Sequence, residues 1–424
     1  MHLFLYNIFL AFYRLGIGLA ANWNKKAKRW ISGRKDIFER LQKAVAEKPG
    51  PIIWMHCASL GEFEQGRPLV EKLRVKYPTH RILISFFSPS GYEIRKNYDQ
   101  ADFVFYLPMD SKTNAKQFIS IIKPSLVLWV KYEYWFYYLS ELKKQNVPLL
   151  LISGIIRRDQ PFFKWYGRLH RYMLESFTHF FVQTLSSQKL LGELGITNNV
   201  SMAGDTRFDR VIDIASKASP VDHILEFCGT HPVIVAGSTW LEDEEELDHF
   251  AITHPHIKFV IAPHEIDEER LLEVEKLFKN TIRYSLLRET SNAPREAKQV
   301  NGNVLIIDNI GMLSRLYQYA TIAYIGGGFG DDGVHNVLEA AVYGKPVVFG
   351  PAYEKYIEAV ELVDNEGAYS IDSAIDLEKL INDLLADKEW LQEAGNAAKE
   401  YVYSKQGATD KIISLIQEKR LLTN

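Results

Sequence analysis

Cysteine is nearly missing from the 424-residue chain: only Cys57 and Cys228 occur, each in an apolar run and neither in a CxxC pair or a Cys/His cluster. That excludes a disulfide-stapled scaffold and a structural zinc site. Positive charge is not in surplus either, since 50 Lys and Arg stand against 53 Asp and Glu for a net charge of -3. A general nucleic-acid binder carries a basic excess, so no nucleic acid is expected as a partner. Also missing is any self-similarity at a period of roughly 20–50 residues, which removes solenoids and propellers. What is present is 47% hydrophobic and 24% charged residues, the balance of a chain that buries a core. At roughly 150 residues per domain, the length suggests two or three domains.

The N-terminus departs from that balance. Residues 3–23, LFLYNIFLAFYRLGIGLAANW, are mostly apolar, and Lys25, Lys26, Lys28 and Arg29 follow. A cleaved signal peptide places its charge first, so the order is wrong for one. The run would just span a bilayer, but Arg14 stands in its middle, where charge is costly. On a helix, Asn7, Arg14 and Lys25 project along one narrow stripe with Leu, Phe and Ile around the rest, as in a helix lying in the membrane surface. The basic flank would then face anionic lipid. The competing reading is a buried core helix capped by a solvated basic turn.

Beyond residue 50, short apolar runs alternate with longer amphipathic ones. Strands are expected at 52–56, 82–86, 103–107, 126–130, 148–152 and 179–183, and again at 232–237, 258–263, 303–308, 321–328 and 345–350. Near-continuous apolar strands alternating with helices imply parallel sheets covered on both faces. The alternation breaks around 205–232, so the expected organisation is an N-terminal segment 1–30, a first doubly wound α/β domain 31–215 and a second 216–424. The polar stretch 288–303 reads as a solvent loop.

In doubly wound folds, ligands bind outside the carboxyl ends of the strands, and four clusters stand there. His56-Cys57-Ala58-Ser59-Leu60-Gly61-Glu62 leads from a strand into a helix, where exposed N–H groups attract anions. Glu62 is equally compatible with simply favouring the helix dipole. Lys131 and Glu133, among aromatics, suit either a sugar site or a solvated edge. Arg207, in AGDTRFDRV, suits either a phosphate or carboxylate fork or an Asp/Arg surface lattice. Gly326-Gly327-Gly328-Phe329-Gly330 leads to His335, Asn336 and Glu339, a glycine turn opening a helix and suited to phosphate, with a purely structural turn as the alternative. Its spacing is not G-x-G-x-x-G, which disfavours a dinucleotide dehydrogenase.

SLGEFEQGRPLVEKL, GDTRFDRV, VAGSTWLEDEEEL, IGMLSRLYQYATIAYIGGGF and GVHNVLEAAVYGKPVVFGP, in this order, resemble the bacterial 3-deoxy-D-manno-octulosonic acid (Kdo) transferases of lipopolysaccharide assembly. The resemblance spans nearly the whole chain and implies a GT-B glycosyltransferase, two Rossmann-like domains facing a cleft, with an N-terminal membrane-associated helix. It implies an inverting transfer of Kdo from CMP-Kdo to a lipid A precursor, lipid IVA, at the cytoplasmic face of the inner membrane. Glu62 matches the family's glutamate base, Arg207 a basic position, usually Lys, that stabilises transition-state charge, and Glu133 the retained second glutamate of M-E-T-E-L-W. Ile310, Gly311 and Met312 match its nucleotide-binding M-G-E, and Asn336, Val337, Leu338 and Glu339 its N-x-L-E. Two positions depart: the first glutamate of M-E-T-E-L-W is Lys131, and the P-R-H arginine expected on the cytidylate phosphate is replaced in Pro263-His264-Glu265.

The expected chemistry is metal-independent and needs no cofactor, with Asp331-Asp332 supporting the glycine turn and CMP charge met by the turn's N–H groups and by cationic side chains. With Glu62 in the N-terminal half and Glu339 in the C-terminal half, donor binding is expected to close the cleft. The expected partners are CMP-Kdo, the lipid A precursor and inner-membrane lipid. Two other classes remain: a GT-B enzyme using a UDP-sugar, and a non-catalytic membrane-associated scaffold.

Overall fold

The computed structural model describes residues 2–131, 133–291, 302–331 and 333–423. Tyr132, Asp332 and most of the expected polar loop, residues 292–301, therefore lie outside the described residues.

The chain divides into two compact units, Met1–Asp209 with Gln406–Asn424, and Arg210–Lys405. The first is built on β1 (Ile52–Cys57), β2 (Arg81–Phe86), β3 (Phe103–Tyr106), β4 (Pro124–Val130), β5 (Leu149–Gly154), β6 (His179–Val182) and β7 (Val200–Met202). They run in the order β3-β2-β1-β4-β5-β6-β7, every pairing parallel. β1 is buried along its whole length because helices cover both faces. Trp54, Phe118, Trp129 and Tyr138 pack on one side, and Met55, Leu69, Val70 and Ile84 on the other. Strand order reverses between β1 and β4, so the crevice at the carboxyl ends of those two strands is where this topology places a ligand.

The second unit repeats the plan with β8 (Val233–Thr239), β9 (Lys258–Pro263), β10 (Thr281–Arg283), β11 (Val304–Ile306), β12 (Ile322–Ile325), β13 (Val347–Phe349) and β14 (Ala368–Ser370). Their order is β10-β11-β9-β8-β12-β13-β14, again all parallel, and the reversal falls between β8 and β12.

The expected second domain, 216–424, needs correction at its end. The helix Ala408–Glu418 belongs to the first unit, where Ala408, Ile412, Ile413 and Ile416 are buried with Leu69, Val70 and Leu73. Its start is held by Asp209, whose carboxylate accepts the Gly407 and Thr409 N–H groups at 2.5 and 2.6 Å.

The N-terminal run forms a helix, His2–Ala20, long and apolar enough to cross a membrane by length and composition. It is not the buried core helix of the competing reading, because only Leu10 is buried while Phe4 and Phe12 are 67% and 68% exposed. It is nevertheless tied down: the Tyr6 hydroxyl donates to Asp110 at 2.6 Å, and the Tyr137 hydroxyl donates to Asn7 at 2.9 Å. Asn24 caps the next helix, Lys25–Ser32, its side chain accepting the Lys26 and Ala27 N–H groups.

Candidate active site

In the first unit, the reversal point carries a chain of buried polar groups. Trp54 and His56 alternate inside β1, and both reach Ser85 on β2: the Trp54 indole N–H donates to Ser85 Oγ at 2.8 Å, and His56 Nδ1 lies 2.9 Å from the same oxygen. The Glu133 carboxylate can only accept, so a neutral His56 carries its proton on Nε2, and its Nδ1 accepts the Ser85 hydroxyl proton while the Trp54 indole donates to Oγ. Nε2 then donates to Glu133 Oε2 at 3.2 Å, and the Trp135 indole N–H donates to that same oxygen at 3.0 Å. Trp129, from β4, donates to the Glu133 backbone carbonyl. A carboxylate just beyond β4 is thereby fixed from the strand beside it. Lys131, between β4 and Glu133, sits in the left-handed region at φ 59°, a conformation costly for a residue with a Cβ and held by its N–H bond to the Ile152 carbonyl.

Glu62 lies in the first turn of the helix Leu60–Lys76 that follows β1, and its carboxylate accepts the Ala58 N–H. The helix-end role left open by the sequence is therefore present, but it does not exhaust the residue. Glu62 is buried, and burial pushes its pKa up to about 7. The Glu133 charge pushes the same way, while the Ala58 and Ser59 N–H groups and Lys131 pull it down. A carboxyl titrating near neutrality beside a fixed carboxylate is equipped to accept a proton.

One turn further along that helix, the Gln65 amide donates to Asp205 at 3.3 Å, and Gln183 donates to the same oxygen at 3.0 Å. Asp205 also takes Arg207, through Nε at 2.9 Å and Nη2 at 2.8 Å. The AGDTRFDRV cluster thus connects to the Glu62 helix, and the Arg207 guanidinium is oriented by Asp205.

In the second unit, three rings stack at the strand ends. His264, following β9, lies on Trp240 at 4.5 Å and on His335 at 4.7 Å, and the Trp240 indole N–H donates to His335 Nε2 at 3.1 Å. That bond makes Nε2 of His335 an acceptor and puts its ring proton on Nδ1. Asp243 fastens the glycine turn by accepting the Gly327 N–H at 2.8 Å, together with the Trp240 N–H and the Tyr324 hydroxyl. A Cβ on Gly326 would run into the Ser238 carbonyl, and one on Gly328 into Gly350. Packing alone therefore accounts for these two glycines.

Asn336 donates to Glu339 at 3.0 Å and accepts the Leu338 N–H, but the helix expected to open at Asn336 is only Leu338–Ala341. Val337, Leu338 and Met312 are packed into the core and Pro263 is buried, so only Ile310, Gly311, His264, Asn336 and Glu339 of the expected nucleotide set offer side chains or backbone at the surface. Among the described residues, no three His, Cys, Asp or Glu side chains gather as a metal site.

The structure therefore brings Glu62 and Glu133 together, joins Arg207 to the Glu62 helix, and pairs Asn336 with Glu339. Sequence reading missed Ser85, Trp240 and Asp243. Ser85 had a usable signal, a lone hydroxyl inside the apolar run ILISF, and Trp240 stands at a strand end where the other candidates were sought.

Comparison with known proteins bears on the family and the fold. Residues 35–210 match the family model for 3-deoxy-D-manno-octulosonic-acid transferase (kdotransferase). The 3-deoxy-D-manno-octulosonic acid transferase of Haemophilus influenzae is 26% identical over 388 residues, covering 87% of each chain, and that of Aquifex aeolicus is 25% identical over 343 residues, 80% of this chain and 87% of its own. A bifunctional glycosyltransferase/methyltransferase of Fusobacterium nucleatum is 29% identical over 375 residues, 86% of this chain; the chain spans little more than half of that relative, 57%. Among solved structures, a putative UDP-N-acetylglucosamine 2-epimerase of Listeria monocytogenes superposes with a TM-score of 0.57 at 16% identity, over 89% of this chain and 98% of its own. MurG of Acinetobacter baumannii does so with 0.53 at 13% identity, over 87% of this chain and 100% of its own. These two likenesses show the fold. With two parallel-sheet units of that fold and Kdo transferases among the relatives along most of its length, the chain is a glycosyltransferase similar to the Kdo transferases.

Proposed function

We propose that the protein transfers Kdo from CMP-Kdo to a lipid A precursor, lipid IVA, at the cytoplasmic face of the inner membrane, with inversion and with Glu62 as general base. The observation that carries this reading is the buried Glu62 carboxyl, poised near pH 7 beside Glu133 at the reversal point of the first sheet. An acceptor hydroxyl gives its proton to Glu62 as its oxygen bonds to the anomeric carbon of Kdo. The bond from that carbon to the phosphate oxygen breaks, and CMP leaves with the electron pair. One displacement assisted by one base inverts the anomeric centre. Glu133 orients the acceptor and Arg207 offsets charge in the transition state, while His264, Asn336 and Glu339 contact the nucleotide.

Glu62→Gln keeps an oxygen to accept the Ala58 N–H but cannot take a proton. Turnover should fall at least about 100-fold, within the usual range for a lost general base, with CMP-Kdo affinity nearly unchanged. Mass spectrometry of the lipid product and titration of the donor read the two quantities. Turnover within a few-fold of the parent would place the base elsewhere.

A further inference from the structure

Between the N-terminal helix and the first unit lies a groove of about 580 Å³, a size suited to a small ligand or one hydrocarbon chain. Leu5 and Phe9 form one wall, Trp165 and Leu169 the other, and the floor is Trp135 and Glu133. Leu5, Phe9 and Trp165 are 54%, 56% and 88% exposed, apolar surface that a folded chain rarely leaves in water without a use.

We propose that this groove holds an acyl chain of the acceptor, so that the N-terminal helix is a wall of the acceptor site as well as a membrane contact. The proposal rests on the reading of the protein as a transferase acting on a lipid. Three observations choose a chain over other occupants. The lining is mostly hydrocarbon and aromatic ring, with His2 and His170 among the rings, and its single carboxylate, Glu133, is held by His56 and Trp135. The helix that forms the wall carries Phe4, Phe12, Leu15 and Leu19 on its exposed surface, so the groove continues an apolar face suited to bilayer hydrocarbon. The other half of the same helix borders a second pocket, of about 710 Å³, where Arg14, Arg34 and Lys35 outnumber Asp36 and Glu39 and leave a small basic excess toward an anionic lipid surface. A chain seated in the groove would lead its sugar from the bilayer toward Glu133, which neighbours Glu62.

The test uses the full-length protein and two readouts. A brominated alkyl maltoside, below its critical micelle concentration, should quench tryptophan fluorescence saturably. Trp165→Phe should lose the part of that signal that Trp165 contributes and leave the part from Trp135, and Leu169→Glu should weaken binding at least about tenfold by placing charge against the chain. In transfer assays, Leu169→Glu should raise the KM for acylated acceptor at least about tenfold while leaving kcat/KM for a deacylated, water-soluble acceptor within about twofold. Leu5→Glu, on the exposed opposite wall, should act alike and serves if Leu169→Glu fails to fold. Absent or unsaturable quenching, or equal losses on both acceptors, would overturn the proposal. So would a concentration-dependent dimer that Leu169→Glu dissolves, which would assign the face to a second copy. A parent enzyme inactive on every acceptor, but still quenched saturably, would instead refute the transferase reading.

Discussion

Glu62 links catalysis to stability. Its carboxyl titrates near 4.5 in an unfolded chain and at about 7 when folded, with burial as the main cause. The folded state therefore holds a proton the unfolded chain has already released. The stabilisation from this group is complete below about pH 4.5 and is lost as pH rises through about 7, a difference on the order of 3 kcal/mol. Glu62→Gln should consequently raise the melting temperature at pH 8.5 and leave it almost unchanged at pH 4, while the parent's kcat/KM should rise across an acid limb near pH 7 that the variant lacks. A variant no more stable than the parent at pH 8.5 would show that the group is not held protonated by burial. His56 makes a separate case, because it is fully buried and reaches the strand-end site through Glu133. His56→Phe retains a ring in the core but takes the donor from Glu133 and the acceptor from Ser85. Misplacing Glu133 should lower kcat by about 10- to 100-fold with donor KM little changed, and the unpaired hydroxyl should cost about 1–3 kcal/mol of stability. A purely structural histidine would lower stability alone, with kcat per folded molecule preserved.

The elements readable in the sequence were those with buried strands. Eleven apolar runs map onto β1 to β6, β8, β9 and β11 to β13, with ends shifted by a few residues. The three strands that escaped, β7, β10 and β14, are three residues each and lie at sheet edges, where one neighbour is missing and most side chains are only half-buried. Without continuous burial, nothing in their composition demands a strand. The site divides in the same way. Residues just after strands, such as Glu62 and Glu133, were singled out because topology assigns ligands to strand ends and His264 entered through the family resemblance, whereas Ser85 lies inside a strand and has meaning only through its neighbours. The closing helix was misplaced for a related reason, since its amphipathic pattern shows that it packs but not on which sheet. Its latch is testable. Asp209→Ala removes the acceptor of two N–H groups at the start of Ala408–Glu418, so thermal or urea unfolding should show a loss of about 1.5–3 kcal/mol. Protease cleavage near residues 404–407 should accelerate as the helix detaches. Unchanged stability and unchanged cleavage would mean that the buried Ile412, Ile413 and Ile416 hold the helix unaided.

At the scale of the whole molecule, a lipid acceptor presents its sugar only within a short distance of the bilayer, so an enzyme acting on it gains by lying on that surface. His2–Ala20 supplies the apolar area, and Lys25, Lys26, Lys28 and Arg29 follow directly. Each such cation near anionic lipid contributes about 1 kcal/mol, screened by salt. Changing all four to Gln should therefore weaken sedimentation with anionic vesicles at low salt by more than a hundredfold, leave binding to neutral vesicles nearly unaffected, and keep transfer to a deacylated acceptor intact. Removing residues 1–22 is the harsher test. Asp110 would lose the Tyr6 hydroxyl but keep the Tyr137 and Tyr138 N–H groups as donors, so its buried carboxylate stays bonded and the shortened protein should fold and bind CMP. It should no longer sediment with vesicles. With one wall of the groove gone, it should also lose its preference for acylated over deacylated acceptor, which the four-Gln protein should retain. That split separates the two jobs of the N-terminus, since the cations act on the membrane as a whole and the helix face acts on a single acceptor. Full-length protein that ignores anionic vesicles at low salt, or a truncation that cannot fold, would count against a surface-lying helix.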